Sequence, residues 1–137
     1  MEAVVAGWLA GYLMAIGSTI ALTVLVVRQP PDSLVQRTLG DSRQGLMAAV
    51  LIFMMATLGW TMAGLILGSA YELLNLGDQP GFLGSPSAPF LIAIFGLAVM
   101  AAGPLVIIFQ RSWWLWCSMS ILFVACFGWL MPIIAGR

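Results

Sequence analysis

Histidine and lysine are absent from this chain, and cysteine occurs only twice. Five acidic and five basic residues leave 7% of the 137 positions charged. Without histidine the chain lacks the commonest ligand for haem and zinc and the commonest general base. The basic residues are all arginines, dispersed at Arg28, Arg37, Arg43, Arg111 and Arg137. No basic tract suits nucleic acid, and no polybasic cluster suits anionic lipid. A soluble domain is about one-quarter charged, and a soluble helix needs a polar face. Ten charges cannot supply that face to the helices of this chain, whose residues are 62% hydrophobic. The surrounding solvent is therefore expected to be hydrocarbon.

What remains is long apolar runs. The first, about residues 3–27, is closed by Arg28-Gln29-Pro30-Pro31, whose prolines stop a helix. It starts with Glu2 rather than basic residues and is too long for a typical signal-peptide core, so it is expected to stay uncleaved. A polar connector, 28–44, follows. Within it Ser33 and Gln36 have capping-box spacing, and a short interfacial helix over Leu34 to Leu39 is expected, ended by Gly40. The second run covers about 45–74, and a Gly/Pro-rich loop covers 75–89. The third covers about 90–109 and contains Pro104. The turn Gln110-Arg111-Ser112 then leads to the fourth, about 113–135, with Pro132 near its end. So short a turn makes the last two helices antiparallel neighbours, and both prolines are expected to kink their helices, which bilayers tolerate.

The expected fold class is an all-α membrane protein, one domain over residues 1–137, folded as an antiparallel bundle of four transmembrane helices. Four of the five arginines lie in the connector and the 110–112 turn. The positive-inside rule places that side in the cytoplasm, with both termini and the 75–89 loop outside. Tryptophans and tyrosine cluster near both expected interfaces, with Trp8, Tyr71 and Trp129 at one and Trp113, Trp114 and Trp116 at the other. The expected location is a bacterial cytoplasmic membrane.

Helices in lipid associate by close packing and interhelical hydrogen bonds, so small residues at four-residue spacing mark contact faces. The first span offers Gly7, Gly11, Ala15 and Ser18, with Thr19 and Thr23 beside this stripe and Leu9, Leu13 and Ile20 opposite. The second span carries Thr57, Thr61, Gly64 and Gly68 on one face. The third has Ala98 and Ala102 at contact spacing, with Gly96 and Gly103 nearby. Gly7, Gly11, Ala15, Ser18, Gly64 and Gly68 are therefore expected at helix contacts. A weak pattern also relates the second and fourth spans: Ile52, Ala56, Gly59, Trp60 and Met62 match Ile121, Ala125, Gly128, Trp129 and Met131 at an offset of 69. Bilayer helices draw on few residue types, so a chance match of this grade is common.

Candidate chemistry is sparse. Cys117 and Cys126 are nine residues apart, which separates them by about 13 Å along one helix, too far to bridge. Glu72 is an acid at a span end, where water solvates it, whereas coupled transport usually needs an ionisable group at depth. No catalytic, metal or cofactor site is expected. The leading expectation is a non-catalytic accessory, scaffolding or assembly subunit, whose partners are the bilayer and other membrane-protein subunits or itself. The alternative is a homo-oligomeric channel or small-solute transporter lined by Thr19, Thr23, Thr57 and Thr61, since a pore can run on hydroxyls and carbonyls. A third class, an enzyme of lipid chemistry, would have only Asp32 and Asp41 as cytoplasmic acids.

Overall fold

The computed structural model describes residues 1–28, 42–78, 80–83, 85–108 and 110–136. The expected Leu34–Leu39 helix and most of the connector lie outside these residues. The chain is an all-α four-helix membrane bundle. Its four long apolar helical stretches are Glu2–Val24, Gly45–Leu73, Ala88–Ile108 and Trp113–Ala135. The described helices are α1 (Glu2–Val27), α2 (Ser42–Leu73) and α3 (Ala88–Ile108), followed by a composite fourth span. That span consists of α4 (Trp113–Phe123), a π-helical segment (Val124–Leu130) and α5 (Met131–Ala135).

Local chemistry explains the ends. Asn75 takes up φ 49°, a left-handed conformation that terminates α2 and that asparagine tolerates. A single 3-10 turn, Leu76–Asp78, follows. Before α3 the chain folds tightly, with Phe82 and Ser85 exchanging both backbone hydrogen bonds at 3.0 Å. The Ala88 N–H donates to the Pro80 carbonyl at 2.9 Å, which closes the loop at the foot of α3.

α1 is the central helix and packs two different faces. On one side Gly7 and Gly11 meet α2 at Trp60, Thr61, Gly64 and Gly68. On the other, Ala3, Ala6, Ala10 and Met14 join a core built with Tyr71 of α2, with Phe90, Leu91, Ile94 and Ala98 of α3, and with Val124, Phe127 and Met131 of the fourth span. α1 buries 44% of its most apolar stretch, and α2 only 6%. The backbone of α2 packs extensively against α1 alone, while Trp60 and Tyr71 reach further, to Phe123 and Phe90. Met47, Leu51, Met54, Met55, Leu58, Met62 and Ile66 cover its outward side, all more than half exposed.

The core is concentrated in the half of the bundle next to the 75–87 loop, where Met14, Ile94, Phe127 and Met131 are fully buried. Toward the other end the packing opens, where among the described residues Leu115 and Ser18 are buried.

The π segment adjoins Pro132. In an α-helix the proline ring collides with the carbonyl four residues earlier and offers it no N–H, and that residue is Gly128. Widening the turn relieves the collision: the Met131 N–H donates to Cys126, five residues back. α3, by contrast, continues through Pro104 as α-helix.

Candidate functional site

Three places in the bundle bring together residues with more than a filling role: the α1–α2 seam, the loop seated on the π segment, and a pair of cavities beside α3.

At the seam the two backbones touch. A Cβ built on Gly11 would stand 2.8 Å from the Trp60 carbonyl carbon and 3.0 Å from the Thr61 Cα. One on Gly7 would stand 3.0 Å from the Gly64 carbonyl carbon, and one on Gly68 3.0 Å from the Ala3 carbonyl carbon. Gly7, Gly11, Gly64 and Gly68 therefore meet in one contact that only glycine permits. Ala15 is buried further along, and Ser18 ends the stripe by accepting the Trp60 indole N–H at 3.1 Å.

The threonines are placed differently. Thr19, Thr23, Thr57 and Thr61 each donate to the carbonyl four residues back, at 2.6–2.8 Å. Such bonds satisfy the hydroxyl within its own helix. None of the four lines either of the cavities described below.

The loop before α3 is stapled to the π segment. The Ser85 hydroxyl donates to the Gly128 carbonyl at 2.8 Å, the acceptor that Pro132 leaves without its α-helical donor. The Trp129 indole N–H donates to the Leu83 carbonyl at 2.8 Å, with Leu83 held at φ 50°. Buried Ser87 adjoins this staple, and its hydroxyl has no hydrogen-bond partner. Sequence reasoning did not find Ser85. Pro132 marks the orphaned carbonyl, but nothing in the sequence says which distant hydroxyl would reach it. The Ala3, Ala6 and Ala10 face was also missed, although its three- and four-residue spacing carries the signal of a second contact face.

The matched residues of the second and fourth spans occupy unlike settings. A Cβ on Gly59 would meet nothing within 4 Å, whereas one on Gly128 would stand 2.7 Å from Leu91 Cδ1. Cys117 is half-buried and Cys126 buried, both as free thiols. Glu72 sits at the bundle rim, paired with the Met1 amino group and bordering a shallow recess with Tyr71, Asn75 and Asp78. Among the described residues no group of three His, Cys, Asp or Glu side chains is placed to hold a metal.

On either side of the α3–α4 pair lies an apolar cavity. One, of about 430 Å³, is bounded by α1, α3 and α4, with Ser18, Leu22, Trp60, Ala98, Ala102 and Phe123 in its wall. The other, of about 690 Å³, lies across Ala98, Ala102 and Ser120 and includes Cys117 and Trp129. Ala98 thus joins the core and borders both cavities, and Ala102 lies in the wall of both. Added Cβ atoms at Gly96 and Gly103 would meet nothing within 4 Å. Beyond the first cavity, Arg28 lies over the Trp114 ring at 4.8 Å.

No family model, curated protein or solved structure matches this chain.

Proposed function

We propose that this small integral membrane protein is a non-catalytic accessory or assembly subunit that docks through the free face of α2 onto another membrane protein. The observation that carries this reading is the attachment of α2, which packs its backbone on α1 and leaves Met47, Leu51, Met54, Leu58, Met62 and Ile66 outward. Methionine is an adaptable contact residue, and a surface rich in Met and Leu re-packs readily against a partner helix. The hydroxyls at membrane depth support the same reading. Those of Ser18, Thr19, Thr57, Thr61 and Ser120 are spent on their own helices and leave little to bind or pass a polar solute. No feature of the Thr57/Thr61 face favours a solute path. In this reading the arginine-rich connector is cytoplasmic and the 75–87 loop faces out, as the positive-inside rule directs.

The test is site-specific photocrosslinking in intact membranes, with a photoreactive residue at Met54, Leu58 or Met62 and a control at exposed Ile92 of α3. A discrete heavier species from the α2 positions, absent from the control, is the expected result. Recovery of lone monomer from every α2 position would overturn the proposal.

A further inference from the structure

We infer that the cavity between α1, α3 and α4 holds one acyl chain of a phospholipid whose phosphate meets Arg28. The cavity has about 430 Å³ of space, within the ~300–1,000 Å³ of sites that take small molecules. Its wall is almost wholly apolar: Met14, Leu22, Leu97, Ala102, Leu115 and Phe123 contribute carbon. The wall's hydroxyls are engaged, Ser18 with Trp60 and the Ala15 carbonyl, and Ser120 with the Trp116 carbonyl. A wall of this kind recognises a hydrocarbon chain and offers nothing to a polar head. The space opens on the bundle surface beside exposed Leu22, Leu97 and Ala101, and at membrane depth the guest that reaches such an opening is a lipid tail. The wall on α3 runs from Leu97 to Leu105, about 12 Å of helix, so the space is long rather than round.

Arg28 supplies the second half of the argument. It follows Leu22, which is in the wall, by six residues, or about 9 Å of rise. The headgroup layer on each side of a bilayer is roughly 5–8 Å thick. A lipid whose chain reaches Leu22 therefore presents its phosphate near the guanidinium. Trp114, one residue before wall residue Leu115, holds that guanidinium by its ring face, which leaves the N–H edge to bind an anion.

The test uses the full chain reconstituted in vesicles of phosphatidylethanolamine and phosphatidylglycerol, extracted in mild detergent and weighed by native mass spectrometry. One retained phospholipid per chain is expected. Ala102→Phe, which fills the wall, should lower retention several-fold, and so should Arg28→Gln, while Ala49→Phe on the exposed side of α2 should not. Should Ala102→Phe fail to fold by circular dichroism, Ala101→Leu at an exposed wall position replaces it. No retained phospholipid in the unaltered chain would overturn the inference. Equal retention in the wall variants would do so too, as would recovery from native membranes of a quinone or other headgroup-free isoprenoid in place of phospholipid.

Discussion

Replacing Gly7 by alanine adds one methyl group at the tightest point of the molecule. The new Cβ would lie 3.0 Å from the Gly64 carbonyl carbon and 3.1 Å from the Gly68 Cα. The added carbon would also overlap the Gly64 carbonyl oxygen, and non-bonded carbons settle near 3.5–4.0 Å, so the helices must part by more than about 1 Å. Both obstacles are backbone and cannot rotate away. Overpacking of this kind costs about 1–3 kcal/mol. The loss falls on α2 almost undivided, because that helix packs its backbone extensively on α1 alone. Gly59→Ala is the control: the same substitution on the partner helix α2, with nothing within 4 Å of the added atom. It should be neutral or stabilising by up to about 1 kcal/mol, since alanine is the better helix former. Denaturant titration in micelles, followed by circular dichroism, measures both. Equal stability changes in Gly7→Ala and Gly59→Ala would refute the seam as the holding contact.

Two further expectations concern single hydrogen bonds. Ser85→Ala strips the Gly128 carbonyl of its side-chain donor and should cost about 1–3 kcal/mol, read as lower thermal stability and faster amide exchange at 85–88. Pro132→Ala returns an N–H to that carbonyl, so the Ser85→Ala penalty should shrink in its background, and a full penalty there would sink the account of the π segment. Ser18→Ala leaves the Trp60 indole without its acceptor. Hydrogen bonds between bilayer helices average ~0.6 kcal/mol and reach ~1.7, so a loss in that range is expected in the same denaturant titration, and unchanged stability would sink the bond's role.

The four-helix membrane fold was legible because hydrocarbon leaves a coarse mark. Charges at Arg28, Glu72, Asp78 and Arg111 sit outside or at the edges of the apolar runs, and Pro30, Pro31 and the Gly/Pro-rich 75–89 segment punctuate them. Small-residue spacing pointed to Gly7, Gly11, Gly64 and Gly68, because a glycine row has few uses in a bilayer other than close approach. The same spacing had a mixed outcome at Ala98 and Ala102: Ala98 is buried in the core, while both alanines also border a cavity. Small size permits contact and hollowness alike, and which results depends on what stands opposite. The π segment and its Ser85 staple were not legible, since they arise from a local clash at Pro132 whose orphaned carbonyl, on Gly128, is answered by a residue 43 positions away in the chain.

The central place of α1 bears on how the molecule is put together. This helix precedes in the chain everything it touches. Its glycine side finds α2 at the next crossing, and the two can close as a hairpin while later spans are still to come. The Ala6, Ala10 and Met14 side has no such early companion, for much of its cover, including Phe127 and Met131, comes from the last helix. Until the fourth span is inserted, that side of α1 lacks the cover of Phe127 and Met131.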